Sequence, residues 1–334
     1  MARALMLAIE RAGAEPELTS ELQTRDGKGD PDHQADIYRA ADEETANVIA
    51  AGRAAGWRAW VTYHNYYKAP DLLGPAVSKA LGIPYILIEA TRARKRLGGP
   101  WDGFARAAEA ACDAADAICY LTERDALTLR RDAPASQRLI HLRPFLPLET
   151  LPPVSTLTGS MLCVAMMRPG DKLASYELVA ETLAQLTTEN WHLTIAGDGP
   201  ARDSVVSLMA PFGDRVTFAG ALDTAGLDAL FGQSSLLYWP GVNEAFGMAY
   251  LEAQAAGLPV VAQDRPGVRD VLAPGPYPDP SAGVAPLAAM VDHLLANDAE
   301  RRRRSSAART FITKNHLIDS AAQTLAPLLG EAGD

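Results

Sequence analysis

Gly241-Val242-Asn243-Glu244-Ala245-Phe246-Gly247-Met248-Ala249-Tyr250-Leu251-Glu252-Ala253 is the stretch whose reading decides the fold. Leu236-Leu237-Tyr238-Trp239 and then Pro240 come just before it. A short apolar run stopped by proline predicts a strand, and the apolar stretch from about Gly247 to Ala256 predicts a helix. The loop between them then lies at the carboxyl end of a parallel strand, where open α/β sheets bind ligands. The first N–H groups of the helix, around Phe246, Gly247, Met248 and Ala249, are unpaired and sit at its positive end. They suit a phosphate oxygen, and Gly247 permits close backbone approach.

Glu244 lies in the loop and Glu252 inside the helix, with seven residues between them. A carboxylate in so apolar a stretch is costly without a partner. Glu252 is therefore expected to accept hydrogen bonds, and a ribose diol is a natural donor of them. Glu244, nearer the helix start, is placed to meet a hexose hydroxyl. Taken alone, the pair fits equally well an acid favourable to the helix dipole plus an ordinary surface glutamate.

Helix and strand alternate on both sides of this stretch. Upstream, strands are expected at Met161 to Ala165, Trp191 to Ala196 and 215–218, with helices at 174–187, 201–210 and 224–231. Downstream, a strand at Leu258 to Ala262 leads to helices that continue from about 286. Nearer the start, helices are expected at 1–13, 38–55, 72–81, 101–115 and 123–131. Strands are expected at Pro16 to Leu22, Trp57 to Thr62, Tyr85 to Ile88 and Ala117 to Tyr120, with Arg25 to His33 a loop. This is an α/β pattern with parallel sheets. Arg143 to Ser160 carries Pro144, Pro147, Pro152 and Pro153 without any period and reads as a linker. Two domains follow, 1–150 and 151–334, with the C-terminal helix placed to pack back on the first.

The chain has 334 residues, 48% hydrophobic and 22% charged, the balance of a soluble globular protein of two domains. A formal charge of −10 argues against nucleic acid as a partner. It argues more weakly against anionic lipid, so peripheral membrane contact stays open. No apolar run approaches ~18 residues, so no membrane span is expected, and the first residues lack the apolar core of a signal peptide. A cytoplasmic address follows by default. Cys112, Cys119 and Cys163 sit in apolar surroundings without metal-ligand spacing and read as small buried hydrophobes. Asp30-Pro31-Asp32 has the form of a metal-binding D-x-D, but turn chemistry explains it better. Gly197-Asp198-Gly199 lacks the third glycine and distal acid of a dinucleotide loop. No metal and no cofactor are expected. The run Arg301 to Arg304 reads as a solvated helix face.

The quoted stretch resembles the E-x7-E signature of glycosyltransferase family 4, which usually continues as EAxAxGxPVV. Glu252-Ala253-Gln254-Ala255-Ala256-Gly257-Leu258-Pro259-Val260-Val261 matches that continuation. Ile195-Ala196-Gly197-Asp198-Gly199-Pro200 is similar to the family's GxGP loop, and Val216-Thr217-Phe218-Ala219-Gly220 to its VxFxG strand. The likeness is dense over 161–272. It implies the GT-B fold, two Rossmann-like domains facing across a cleft, and a nucleotide-sugar donor with UDP as the default base. It also implies that Glu244 touches the sugar, that Glu252 touches the ribose, and that Gly197 and the backbone near Ala221 and Leu222 line the donor site. Arg168 and Lys172, in the loop after strand 161–165, match the arginine and lysine of the family's GRLxxxKG, at shorter spacing and with Pro169 and Asp171 unusual. Such cations stabilise a departing diphosphate.

In the first domain the family commonly places a histidine after a strand like Gly82-Ile83-Pro84-Tyr85-Ile86-Leu87-Ile88. Glu89 stands there here, and His64 is the nearest alternative; either is an acceptor-side candidate. The basic run Arg92 to Arg96 suits a phosphate-bearing acceptor or a solvated loop equally. A Rossmann-like domain normally opens on a strand, whereas this chain opens on a helix. Met1 is therefore expected to be internal, with about 15–20 residues before it. The expected activity is a retaining, metal-independent transfer of a hexose to a saccharide or lipid-linked acceptor. A sugar-nucleotide 2-epimerase and a non-catalytic nucleotide-sugar-binding protein are the rivals.

Overall fold

A computed structural model describes residues 1–330, so the last four residues of the expected second domain lie outside the described residues. The chain divides into two compact units, Met1–Arg143 with the helix that starts at Ile318, and Pro144–Leu317. The first division falls seven residues before the expected one. Pro144 to Ser160 is no loose linker but part of the second unit: Leu146 N–H donates to His316 O at 2.8 Å, and Ser155 N–H to Ala256 O at 2.8 Å. The helix Ile318–Leu329 belongs to the first unit, where Arg11 Nε meets Asp319 Oδ1 at 2.8 Å.

The first unit holds helices α1 (Ala2–Arg11), α2 (Pro31–Ala55), α3 (Gly74–Leu81), α4 (Asp102–Ala114) and α5 (Glu123–Asp132). Its sheet runs β1 (Trp60–Asn65), β2 (Tyr85–Ala90), β3 (Ala117–Tyr120), β4 (Arg138–His141), in that spatial order and all parallel. The fourth strand is absent from the sequence reading, because four residues with a half-exposed pattern give too short a period to recognise. The expected strand Pro16 to Leu22 is also not a strand. A cavity of about 950 Å³, lined by Glu15 to Ser20 on one side and by Trp60 to Thr62 on the other, lies beside the β1 edge. Extended backbone without a neighbouring ladder is not a strand. The loop expected through His33 ends earlier, since Asp30 caps α2 by accepting from the N–H groups of Asp32 and His33, with Pro31 in the first turn. The D-x-D form is thus a helix cap.

The second unit holds β5 (Met161–Val164), α6 (Asp171–Leu183), β6 (Leu193–Ala196), α7 (Arg202–Met209), β7 (Val216–Gly220), α8 (Thr224–Gln233), β8 (Leu236–Tyr238), α9 (Met248–Ala255), β9 (Val260–Val261), α10 (Ala285–Ala296) and α11 (Asp298–Asn315). Its parallel strands lie in the order β7-β6-β5-β8-β9. Met161, Leu162, Leu193, Ile195, Leu236, Leu237 and Val261 are buried among helices, as a sheet covered on both faces requires. All three cysteines are buried and unpaired, with burial pushing each thiol up to about 12. Arg301 departs from the solvated face expected of its run. Its Nη1 donates to Leu295 O at 2.8 Å, closing the carboxyl end of α10, whereas Arg303 and Arg304 pair with Glu300 and hold its carboxyl down at about 2.

Candidate functional site

The strand order of the second unit fixes where its site lies. The chain builds outward from β5 through β6 to β7, then crosses to β8 on the other flank of β5. The order reverses between β5 and β8, and the loops leaving those two strands lie at their carboxyl ends, the place where open α/β sheets bind ligands. Those loops are 165–170 and 239–247, which carry or adjoin Arg168, Lys172 and Glu244.

Lys172 is not in the loop, as expected, but in the first turn of α6, which starts at Asp171 after Gly170 turns the chain with φ 82°. That turn aims its ammonium at Glu244 Oε1, to which it donates. The same oxygen accepts from Trp239 Nε1 at 2.9 Å. Lys172 Nζ lies 5.4 Å from the centroid of the Trp239 ring. The loop after β8 is also tied directly to the start of α6, through Asn243 Nδ2 to Asp171 Oδ2 at 2.8 Å and Val242 N–H to Ser175 Oγ at 3.0 Å. Arg168 is exposed on the same loop and is not drawn into this cluster. Trp239, Asp171, Asn243 and Ser175 were missed as site residues. The one sequence signal was a tryptophan ending a strand five residues before Glu244.

Gly247 precedes α9 with φ 83°, and a Cβ there would lie 2.7 Å from the Tyr250 ring. Met248 and Ala249 form the first turn of α9 and are half-buried. Phe246, also half-buried, packs against the core of the unit. Glu252 lies on the second turn. Burial pushes its carboxyl up from the usual range, and the charge of Asp228 on α8 adds to the shift. Among the described residues no side chain donates a hydrogen bond to it. Leu222, just beyond β7, is 36% exposed, an apolar surface fit for a flat base.

Gly197 is also a packing residue. It has φ 142°, and a Cβ there would sit 1.9 Å from Ala165 O. The loop after β6 is thus pressed on the loop after β5, and only glycine fits. Gly197→Ala is expected to cost about 3 kcal/mol or more and lower the melting temperature by roughly 6–12 °C. A melting curve unchanged within 2 °C (roughly the effect of a neutral surface change) counts against that packing.

In the first unit, the two acceptor-side candidates come together. His64 and Glu89 stand near the ends of neighbouring strands β1 and β2, with Nδ1 and Oε2 at 3.6 Å. Both have positive φ, 76° and 58°, a strained backbone that gathers at functional sites. Burial raises the Tyr63 hydroxyl, with Glu89 adding to it, and burial also raises Asp125. The basic run divides in two. Arg92 is buried against Glu109 and Asp113, whereas Arg96 is exposed beside Tyr67.

The family described as glycosyl transferases group 1 matches residues 165–311, all within the second unit. A GDP-mannose-dependent alpha-mannosyltransferase of Mycolicibacterium smegmatis is 36% identical over 136 residues, 40% of this chain and 34% of that protein. The chain matches only about a third of that relative's length. Among solved structures, a sucrose-phosphate synthase from Thermosynechococcus elongatus aligns with a TM-score of 0.69 at 17% identity, over 98% of this chain and 91% of that one. An Anabaena protein in complex with UDP and glucose aligns with a TM-score of 0.63 at 16% identity, over 86% and 81%. The fold is GT-B, built from two Rossmann-like domains. No helix among the described residues is long and apolar enough to cross a membrane.

Proposed function

We propose, from the premise that residues 165–311 belong to the glycosyl transferases group 1 family, that this chain moves a hexose from a nucleoside-diphosphate sugar to a saccharide or lipid-linked acceptor with retention. The observation that carries the reading is the Lys172–Glu244 pair at the switch point between β5 and β8. A diphosphate set against the amino end of α9 draws Lys172 and Arg168 to its oxygens. Glu244 then takes a hydroxyl of the sugar, and Glu252 takes the ribose diol. As the glycosidic bond lengthens, charge grows on the leaving phosphate and these cations stabilise it, so the reading calls for no metal. No carboxylate serves as nucleophile. The departing phosphate oxygen accepts the acceptor's proton on the face where the new bond forms. His64 and Glu89 are the side chains assigned to the acceptor. The reading places the enzyme in the cytoplasm, where its thiols stay reduced.

The names of similar proteins bring both GDP and UDP into the assay. Without acceptor, the native chain should slowly release free sugar and nucleoside diphosphate from one nucleotide sugar of a panel. Glu244→Gln should cut that release on the order of a hundredfold while its melting curve stays cooperative. Tight binding with no turnover would leave a binding protein, and conversion of the donor into its 2-epimer would make the chain an epimerase.

A further inference from the structure

We propose that the Trp239 indole N–H is the positioning group for Glu244, holding its carboxylate toward the donor sugar once Lys172 has turned to the diphosphate. This rests on the donor-site reading above. Among the described residues the Glu244 carboxylate has two donors, and both reach the same oxygen, Oε1. They differ in kind. Lys172 carries its ammonium on a flexible four-carbon stem and meets a diphosphate as a point charge. When a doubly charged diphosphate arrives at the carboxyl ends of β5 and β8, that ammonium is the group able to leave Glu244.

Trp239 cannot follow it. The residue is 2% exposed and its carbonyl accepts from Tyr250 Oη at 3.0 Å. Its ring stands edge-on to Tyr176, centroids 5.0 Å apart at 70°. Tyr176 is in turn fixed, donating from Oη to Ala165 O at 2.9 Å. A buried indole N–H needs an acceptor, and its acceptor here is Glu244. The bond therefore outlasts the departure of Lys172. It pins one carboxylate oxygen and presents the other, Oε2, to a sugar hydroxyl. A fixed donor of this kind costs no reorganisation when substrate binds. Trp239 acts through Glu244 and touches no reacting atom.

The test separates sugar from nucleotide. Calorimetric titration of native chain and Trp239→Phe uses UDP against UDP-glucose and GDP against GDP-mannose. In the variant the affinity for the nucleotide sugar should fall about tenfold, one hydrogen bond to a charged group, with affinity for the matching nucleoside diphosphate unchanged. Equal losses for both ligands, or none for either, overturn the proposal and leave Trp239 a packing residue. Should Trp239→Phe fail to melt cooperatively, the native chain with 15N-labelled indoles puts the same question. The Trp239 N–H should stay protected from exchange on saturation with nucleoside diphosphate, and loss of protection overturns the proposal. A native chain that binds none of the four ligands sinks the donor-site reading itself.

Discussion

Lys172→Ala should lower the turnover number about a hundred- to a thousandfold at saturating donor, the usual cost of removing one preorganised charge from a developing anion. The structure puts Lys172 in the first turn of α6, against Glu244, with its side chain 19% exposed and that of Glu244 13%. Two opposite charges so placed hold each other until a stronger anion arrives, so the variant loses the cation and also loosens Glu244. Arg168→Ala belongs to the same experiment, with an expected cost on the order of 2–4 kcal/mol in transition-state stabilisation. Arg168 is exposed, so its removal should leave the melting temperature alone. Steady-state rates at saturating donor decide both. A turnover number within twofold of native for Lys172→Ala removes it from the mechanism.

Glu252→Gln should move stability and donor affinity in opposite directions. Burial, and then the charge of Asp228, raise the Glu252 carboxyl above its ordinary value. A carboxyl whose pKa is raised on folding destabilises the fold at pH above its unfolded value. That cost fades as pH falls through the folded value. At neutral pH the glutamine variant should therefore melt higher than native, and the gap should narrow as the solution is acidified. The same variant loses charge-assisted hydrogen bonds from the donor. With about 1.5–3 kcal/mol at stake, its Kd for the nucleotide sugar should rise roughly ten- to a hundredfold. A variant that melts lower at neutral pH and binds donor as well as native would show Glu252 to be structural. The trade is typical of a site that holds a charge ready for a ligand.

Sequence by itself determined the α/β class, the two units in series and the loop at the end of β8. Each rests on local chemistry. An apolar run before Pro240 makes a strand, Gly247 precedes a helix, and a carboxylate amid apolar neighbours at Glu252 asks for a donor. Short strands were less legible. β4 has four residues and no clear alternation, while Pro16 to Leu22 has strand composition and no neighbour to pair with. A strand is defined by its ladder, which no single segment contains. The meeting of Lys172 with Glu244, 72 positions apart, was decided only by the tertiary structure. So were the indole bond from Trp239, the pairing of His64 with Glu89, and the burial of Arg92 against Glu109 and Asp113 and of Arg301 against the end of α10. The bond from Lys172 to Glu244 depends on strand order, since the reversal between β5 and β8 brings β8's loop to the start of α6, and His64 meets Glu89 because β1 lies beside β2. Sequence names the groups able to do chemistry, and the crossing of the chain selects which of them share a charge.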